Sequence, residues 1–339
     1  MLLQAPPENP AKKSSLEARY PLVANELQDV KRSLLDILKP EAAILAENLQ
    51  LSLSNTGKLF RPALLLLTSK ACQASEITSQ DIETAAVAEL IHTATLIHDD
   101  VLDDAELRRG EPTLKTLRGN KIAVLSGDYL LAQASLKLSK LNNCKLVSIY
   151  AHVLSDLCDG EILQLQQQGN CLMDWSQYLR KTQCKTASLF EACTESAGVI
   201  HQQSDAIIEQ LKAYGRHLGL AFQLADDLLD FTSTAEALGK PALEDLRQGI
   251  VTAPVILALQ KTQGQERQKL ETLIRAVFED STKVLPLLET LNDLNAITQT
   301  RDLALEHSEK AVQALACLPD SPYKTALADL ATHAVDRVS

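Results

Sequence analysis

Two short acidic stretches decide the fold class of this 339-residue chain: LIHDDVLDDAELRRG at residues 96–110 and FQLADDLLDF at residues 222–231. Each contains the pattern D-D-x-x-D among leucine, isoleucine and alanine, which is typical of an α-helix. The first and last aspartates of each pattern are four residues apart, so they lie on the same face of a helix. Both stretches are therefore predicted to be helices with an acidic face.

Clustered carboxylates on an apolar helix repel one another and resist burial, so they require water or bound cations. A solvated acidic face would explain one such cluster. Two clusters with the same spacing and apolar flanks instead indicate a shared role. Mg²⁺ fits, because it prefers oxygen ligands from a few carboxylates and from substrate phosphates, and two facing helices would clamp a diphosphate through shared ions. The candidate residues are Asp99, Asp100, Asp103, Asp226, Asp227 and Asp230.

Cationic residues beside apolar, glycine-containing segments are candidates for binding the diphosphate, since Arg offers paired donors and Lys a mobile point charge. They are Lys58, Arg61, Arg108, Arg109, Lys185 and Lys240. His92 lies seven residues before Asp99, two turns earlier on the same predicted helix face. Alone, a histidine in such a position is more often a packed core residue.

The composition favours helices along the whole chain. Hydrophobic residues make up 45% of it and aromatic residues only 4%, whereas sheets depend on β-branched and aromatic side chains. Gly and Pro fall mainly between the helical patterns, and no Gly- or Ser-rich linker divides the chain. We therefore predict an all-α fold, with a flexible tail at residues 1–14 and one large domain at residues 15–339. The predicted helices cover residues 16–38, 41–54, 61–75, 79–104, 120–141, 144–168, 174–199, 203–232, 251–262, 264–294, 297–316 and 321–337.

The formal net charge of −11 argues against nucleic acid as a partner, because no basic stripe offsets it. An acidic protein that acts on an anionic substrate needs metal ions between the two. The seven cysteines form no C-x-x-C pair, which is typical of reduced thiols in a cytoplasmic protein. No signal-peptide pattern and no apolar run of membrane-spanning length is visible, so we predict a cytoplasmic protein without a transmembrane segment.

From about residue 20 to the C-terminus the chain resembles the trans-prenyl diphosphate synthases. The resemblance is carried by the two D-D-x-x-D patterns together with the RRG, KT and GK elements. Within that family the chain is most similar to the long-chain branch that makes quinone side chains, such as the solanesyl (nonaprenyl) diphosphate synthases. The segments that carry this similarity are HDDVLDDAELRRG, GDYLLAQAS, YGRHLGLAFQLADDLLDF and EALGKPALEDL.

The resemblance implies an isoprenoid synthase fold, a helical bundle around a central cavity, and a homodimer. It also implies that isopentenyl diphosphate is joined to an allylic diphosphate with the help of Mg²⁺, and three ions are expected. The apolar product would give the protein affinity for a membrane surface. The main metal ligands would be Asp99, Asp103 and Asp226, supported by Asp100, Asp227 and Asp230. The allylic diphosphate would be held by Arg108, Lys185, Thr186, Gln223 and Lys240. Isopentenyl diphosphate would be held by Lys58, Arg61, His92 and Arg109.

Product length is expected to depend on the residues just before the first acidic pattern, which in this family face the tunnel for the growing chain. They are Ile91, Ala94 and Thr95, none of them aromatic. Short-chain members tend to place Phe or Tyr there as a floor. The small Ala94 therefore predicts a product well beyond farnesyl diphosphate, as one of the quinone side chains would be.

Three positions depart from the family pattern. The element that usually reads GGKRxRP has Thr56 in place of its first glycine and Leu59 in place of its middle arginine, and Ile250 stands where a lysine is common. The first departures are expected to loosen the isopentenyl side, and the last removes a cation near the allylic diphosphate. We expect reduced activity at worst.

Three alternatives remain open. A non-catalytic partner subunit would explain Leu59 and Ile250, but it has no physical need for six clustered carboxylates. An HD-type metal phosphohydrolase would use the pair His98–Asp99, but it leaves the second acidic pattern unexplained. A terpene cyclase shares the fold and the ionisation step, but usually carries an Asn/Ser/Glu type of second metal motif.

Overall fold

Helices account for almost all of the chain that the computed structural model describes, namely residues 16–37, 40, 42–54, 59–73, 76–108, 110–171, 173–232 and 243–336. The predicted all-α class is confirmed. The predicted tail at residues 1–14 lies outside the described residues. The helices are α1 (Leu16–Arg19), α2 (Ala24–Leu35), α3 (Ala43–Ser54), α4 (Phe60–Ala71), α5 (Ser79–Leu102), α6 (Leu114–Arg118), α7 (Asn120–Lys140), α8 (Cys144–Gln167), α9 (Trp175–Thr182), α10 (Ser188–Ile200), α11 (Asp205–Thr232), α12 (Glu244–Arg247), α13 (Ala253–Lys261), α14 (Gly264–Glu279), α15 (Val284–Asp293), α16 (Ala296–Ala314) and α17 (Pro322–Asp336).

A small hairpin follows α5, although no sheet was predicted. Strand β1 (Leu107–Arg108) pairs antiparallel with β2 (Glu111–Pro112), and Gly110 between them has a φ of 81°. Glycine adopts this left-handed backbone conformation without steric cost. Two-residue strands are too short to produce an alternating pattern, so this hairpin was not visible in the sequence.

Two helices were predicted as continuous and are broken, and those predictions are wrong in this respect. The stretch predicted at 16–38 divides into α1 and α2 because Pro21 lacks a backbone N–H and disfavours a helical residue before it. The stretch predicted at 264–294 divides after α14, where Asp280 is extended and its Oδ1 accepts a hydrogen bond from Thr282 N at 3.0 Å. A 3₁₀ turn at Ser281–Lys283 then leads into α15.

A third predicted helix, 174–199, is interrupted by a π turn at Gln183–Ala187. The turn joins α9 to α10 without an intervening loop. Its cause is tertiary and lies in the close approach of α8 and α11, described with the site below.

Helix α5 lies within the larger hydrophobic core and is anchored firmly at its start. Thr78 and Asp81 form a capping box, in which the side chain of Asp81 accepts from Thr78 N at 2.8 Å. The buried Asp81 also accepts from Ser69 Oγ at 2.6 Å and is hydrogen-bonded to His201 Nε2 at 2.9 Å. These contacts fasten the beginning of α5 to α4 and to the end of α10, and so set the position of the acidic pattern at its far end.

Helix α11 connects two hydrophobic cores. Leu211, Tyr214 and Leu218 belong to the larger core, which α5, α8 and α10 also form. Leu224 and Leu228 belong to a second core built with α13, α14, α15 and α16. The second acidic pattern therefore lies on the part of α11 that packs on the second core. None of the described helices combines the length and apolarity that crossing a membrane requires.

Candidate active site

The first acidic pattern lies at the C-terminal end of α5. Asp103 is the C-cap residue, and its backbone N–H donates to the Asp99 carbonyl at 2.8 Å. Asp99 is half-buried and Asp103 is exposed, whereas Asp100 is only 6% exposed. The helix end thus presents two carboxylates and turns a third one inward.

The hairpin and α6 supply cations to this helix end. Arg108 Nε donates to Asp100 Oδ1 at 2.6 Å, and Lys115 Nζ forms an ion pair with Asp104. Among the described residues, the side chains of Asp99 and Asp103 make no hydrogen bond or ion pair. Within the described residues of this stretch, direct contacts with cations therefore involve Asp100 and Asp104, and not Asp99 or Asp103.

Lys185 and Thr186 lie in the π turn. Such turns are common at functional sites, because they shift side chains out of the helical register. Two glycines allow other helices to approach the turn closely. A Cβ at Gly160 of α8 would lie 2.9 Å from Lys185 N, and a Cβ at Gly219 of α11 would lie 2.6 Å from the Cα of Ala187. Both helices therefore pack directly against the turn, and only glycine fits at these positions.

Lys185 forms an electrostatic unit with three carboxylates. Its Nζ forms an ion pair with Glu161 of α8. Burial raises the pKa of Asp99 to about 6, the charge of Lys185 opposes this rise, and Glu161 and Asp103 add to it. Burial acts to lower the pKa of Lys185, but Asp99 and Glu161 outweigh it and raise that pKa. Even with the guanidinium of Arg108, which also acts on Asp99, the three carboxylates outnumber the two cations, and this excess of negative charge would attract further cations.

The aspartates of the second pattern have unlike surroundings. Asp227 is 1% exposed, and its Oδ2 accepts from Tyr178 Oη at 2.7 Å and from Ala253 N at 3.1 Å. Asp230 is 3% exposed, and its Oδ2 accepts a hydrogen bond of 3.3 Å from the backbone N–H of Asp245. Asp226 is half-buried. Asp227 and Asp230 are therefore integrated into the protein scaffold.

Gln223 links the second pattern to the π turn. Its Nε2 donates to Asp227 Oδ1 at 2.9 Å, and its Oε1 accepts from Thr186 Oγ1 at 2.7 Å. Because Lys185, the neighbour of Thr186, lies within electrostatic range of Asp99, the turn connects both acidic patterns. The structure thus brings together the predicted residues of both patterns and of the KT element.

Arg61, at the start of α4, lies within electrostatic range of the second pattern. Burial lowers the pKa of its guanidinium, and the carboxylates of Glu89 and Asp226 act in the opposite direction. Its Cζ lies 4.9 Å from the ring centroid of Phe190, a cation–π distance. Among the described residues its Nε is buried without a hydrogen-bond partner, so one donor of this guanidinium is left unsatisfied there.

The aromatic residues next to Arg61 form a cluster. Phe60, Phe190 and Phe222 have ring centroids 5.5 to 6.2 Å apart. Phe222 directly precedes Gln223 on α11. The cluster places an apolar, water-excluding surface beside the polar network.

The departures from the family pattern are buried apolar side chains. Leu59 is 1% exposed and has a left-handed backbone (φ 48°, ψ 39°) at the N-cap of α4. Ile250 is 8% exposed. A cation at either position would be buried, which is costly without a partner. Thr56 lies outside the described residues, as do three predicted binding residues: Lys58, Arg109 and Lys240.

The residues expected to govern product length lie in the last turns of α5 before the acidic pattern. Ile91 and Ala94 are 1% and 0% exposed and belong to the larger core. Thr95 is half-buried, and its Oγ1 donates to the carbonyl of the half-buried His92 at 2.8 Å. Their roles stay predictions.

Three residues of the site were missed in the sequence: Glu161, Tyr178 and Lys181. Glu161 pairs with Lys185, and Tyr178 donates to Asp227. None belongs to a repeated motif, and their positions depend on how α8 and α9 pack. The only sequence signal was the spacing of Lys181 and Lys185, four residues apart in an otherwise mixed stretch.

The donor set fits Mg²⁺. Within the described part of the chain, no three His, Cys, Asp or Glu side chains converge closely enough to hold an ion by themselves. A closed structural zinc site would need such a cluster, whereas Mg²⁺ is usually held by one or two carboxylates, waters and substrate phosphates. Asp99 and Asp103 on one helix and Asp226 on the other could hold such ions.

The helical fold and the two acidic patterns joined by a lysine–threonine turn define an enzyme of the isoprenoid synthase type. The sequence profile described as polyprenyl synthetase matches residues 42–291. The chain belongs to this family.

Relatives and solved structures agree with this assignment. The chain is 37% identical over 328 residues to solanesyl diphosphate synthase 2, chloroplastic, of Arabidopsis thaliana, covering 96% of this chain and 78% of the relative. A decaprenyl diphosphate synthase from Rhodobacter capsulatus superposes with a TM-score of 0.89 at 32% identity, covering 96% of this chain and 99% of the other. A polyprenyl synthase from Caulobacter crescentus, complexed with calcium and isoprenyl diphosphate, gives a TM-score of 0.87 at 33% identity, covering 97% and 100%.

Proposed function

We propose that this chain is a Mg²⁺-dependent trans-prenyltransferase that condenses isopentenyl diphosphate with an allylic diphosphate to make a long-chain polyprenyl diphosphate. The side chain of a quinone such as plastoquinone is the product class we favour, since the chain is similar to a solanesyl diphosphate synthase. The observation that carries the proposal is the connection of both acidic patterns to Lys185 and Thr186 of the π turn.

The metal ions would be held by Asp99, Asp103 and Asp226, and we infer three of them by family resemblance. When bound, they supply positive charge that stabilises the leaving diphosphate. The similar Caulobacter protein is complexed with a divalent cation and isoprenyl diphosphate. Asp100, Asp227 and Asp230 support the ligands from the scaffold, through the contacts described above.

The protein's own residues bind and orient the allylic diphosphate. Lys185 and Thr186 lie beside the first and second patterns respectively, and Arg108 lies at the hairpin. These donors stabilise negative charge as the allylic carbon–oxygen bond breaks and its electron pair leaves with the diphosphate. Lys240 is proposed for the same task by family resemblance alone.

Isopentenyl diphosphate is proposed to bind next to Arg61 and His92, together with Lys58 and Arg109. The double bond of isopentenyl diphosphate attacks the allylic cation, and the released diphosphate takes the proton lost from the new cation. The cluster of Phe60, Phe190 and Phe222 would keep water away from these cations.

Incubation of the purified chain with isopentenyl diphosphate, Mg²⁺ and each of several allylic primers tests the proposal. Dephosphorylation and chromatography should show products longer than farnesol that appear only with Mg²⁺. No incorporation with any primer would overturn the enzymatic assignment and favour a non-catalytic partner subunit. Phosphate release from nucleotides without incorporation would favour a phosphohydrolase, and cyclic hydrocarbon products a terpene cyclase.

A homodimer is part of the proposal. Helix α7 exposes Leu125 and Leu136 at 61% and 51%, three turns apart on one side of the helix. Large apolar side chains grouped on one face are typical of an interface. The cytoplasmic location predicted from the sequence, with membrane contact through the product, stays a prediction.

A further inference from the structure

Lys181 of α9 is a buried cation to which the proposed reaction assigns no task. It is 7% exposed, so most of the side chain is removed from water. Its Nζ lies 5.6 Å from the ring centroid of Tyr178. Removing a charged side chain from water is costly unless opposite charges compensate it, so the position requires a physical reason.

The charges around Lys181 belong to the second acidic pattern and its surroundings. Burial acts to lower the pKa of Lys181, and the carboxylates of Asp227 and Asp245 act against this shift. Tyr178 connects the two charges, because its ring lies beside the ammonium and its hydroxyl donates to Asp227 Oδ2 at 2.7 Å. Cation, aromatic ring and carboxylate therefore form one buried unit.

Asp227 needs a positive charge nearby. It is 1% exposed, and the groups bonded to it, from Tyr178, Gln223 and the backbone of Ala253, are all neutral donors. Neutral donors offset part of the cost of burying a carboxylate, and a nearby positive charge offsets more of it. Burial and the nearby carboxylate of Asp245 raise the pKa of Asp227, and the positive charge of Lys181 opposes that rise.

Asp227 in turn determines how Thr186 is placed. It fixes the amide of Gln223 through Nε2 at 2.9 Å, and the Oε1 of that amide accepts from Thr186 Oγ1 at 2.7 Å. Thr186 adjoins Lys185, which faces the first acidic pattern. A path of direct contacts thus runs from the buried unit to the proposed diphosphate site.

We propose that Lys181 is a positioning residue for the allylic diphosphate: its fixed charge compensates the buried Asp227, which holds Gln223 and, through it, Thr186 beside Lys185. The inference rests on the proposed function. Lys181 acts through these residues and does not contact the reacting atoms.

The test compares Lys181→Met, which removes the charge, with Lys181→Arg, which keeps it. Lys181→Met should raise the KM for the allylic diphosphate roughly 10- to 100-fold, as loss of a supporting charge does in metal sites. The KM for isopentenyl diphosphate should stay within about threefold of wild type, and Lys181→Arg should recover most of the allylic affinity. Calorimetric binding of inorganic diphosphate with Mg²⁺ should weaken in parallel, which requires no turnover.

Lys137→Met is the matched control. Lys137 is also largely covered, at 13% side-chain exposure, and pairs with Glu83 at 2.7 Å. Glu83 lies near the start of α5, sixteen residues before Asp99 and about 24 Å along the helix. This variant should leave both KM values within about twofold of wild type.

A double variant shows whether Lys181 acts through Asp227. Because Asp227→Asn removes the charge that needs compensation, Lys181→Met should add little to it, and the two effects should be strongly non-additive. Simple additivity, an equal rise in both KM values, or Lys181→Arg as impaired as Lys181→Met would each overturn the inference. If Lys181→Met fails to fold, Lys181→Gln, which also removes the charge, takes its place and should raise the allylic KM selectively.

The two proposals fail in different ways. A wild-type chain that elongates no primer refutes the proposed function. A wild-type chain that elongates a primer, with unchanged allylic KM in Lys181→Met, refutes only the role of Lys181.

Discussion

Thr186 Oγ1 donates a hydrogen bond to Gln223 Oε1 at 2.7 Å, and this contact joins the π turn to the second acidic pattern. The amide of Gln223 cannot turn over without loss, because its Nε2 donates to Asp227 at 2.9 Å. The two contacts give one fixed geometry for a threonine that adjoins Lys185.

Gln223→Leu removes both hydrogen bonds while keeping the side chain's approximate volume. We expect a rise of about tenfold in the KM for the allylic diphosphate, with little change for isopentenyl diphosphate, because the loss is confined to one substrate's donors. Steady-state kinetics with each substrate varied in turn checks this. Gln80→Leu, which removes an amide that bonds Leu141 O near the start of α5, serves as the control. Equal effects on both substrates would contradict the assignment.

Substitutions of the proposed metal ligands should change the Mg²⁺ dependence of the reaction, whereas substitutions of neighbouring aspartates should not. Each of the variants Asp99→Asn, Asp103→Asn and Asp226→Asn should lower kcat roughly 100-fold or more, because each removes a charge that acts in the transition state. It should also raise the Mg²⁺ concentration for half-maximal rate. Asp104→Asn is the control, since that side chain is 90% exposed and pairs with Lys115. Full activity in a chelator would refute the metal assignment.

Local features of the fold and of the site were predictable from the sequence. Helical periodicity and the repeated spacing of Asp99–Asp103 and Asp226–Asp230 are properties of short segments, and both helices were found with small errors at their ends. The π turn was missed because it depends on Gly160 and Gly219, which lie far from it in sequence and permit a close approach of their helices. The sequence pattern of one helix does not indicate how closely other helices pack against it.

The unlike roles of adjacent aspartates also depend on tertiary contacts. Asp226 and Asp227 look equivalent in the pattern, yet Asp227 is enclosed by donors from Tyr178, Gln223 and Ala253. Two of these donors come from helices distant in sequence. The spacing identified the acidic pattern, but it did not identify which of its aspartates is buried and hydrogen-bonded by the rest of the protein.

Ala94→Phe should shorten the product. Ala94 is 0% exposed, and by family resemblance it faces the tunnel that the growing chain is proposed to use, so a phenyl ring should act as a floor. Chromatography of the dephosphorylated products should show a shift towards farnesol or geranylgeraniol. The added bulk should also cost about 1–3 kcal/mol of stability, so a thermal unfolding curve must confirm folding. An unchanged product length in a folded variant would place the tunnel elsewhere.

Stability should fall at mildly acidic pH through the pair His217 and His307. Their Nδ1 atoms lie 2.9 Å apart on α11 and α16, and burial lowers the pKa of both, for His307 to about 4. In the unfolded chain both histidines have a pKa near 6.5, so below that pH they bind protons that the native pair does not bind. The contribution of this pair to the free energy of unfolding is therefore constant above about pH 6.5, and it falls as the pH drops towards 4.

Denaturant unfolding at pH 7.5 and pH 5 measures this effect. After allowance for solvent screening, the pair should account for about 1–2 kcal/mol of the difference. His307→Leu should reduce the difference, whereas His333→Leu, at an exposed histidine of α17, should not. The charged groups that act on the pair, Lys310, Arg216, Glu306 and Glu191, remain in both variants. Identical pH dependence in wild type and His307→Leu would disprove the prediction.

The exposed leucines of α7 should mediate self-association. Leu125→Asp combined with Leu136→Asp should convert a dimer into a monomer, because two charges would be buried at the interface. Light scattering coupled to size exclusion measures the mass. Leu285→Asp is the control, at a leucine 67% exposed on α15. A wild-type chain that is monomeric at micromolar concentration would exclude the interface.

The π turn also constrains the length of this part of the chain. Lys181 precedes the turn and Lys185 lies inside it, so the two lysines are separated by a change of helical register. Deleting one residue at 183 or 184 would remove the wide turn, shorten the spacing between Lys181 and Lys185 from four residues to three, and return Lys185 to the ordinary helical register. Substitutions in this segment should thus be far better tolerated than any single-residue deletion or insertion, and relatives that keep both lysines should keep the residue count between them.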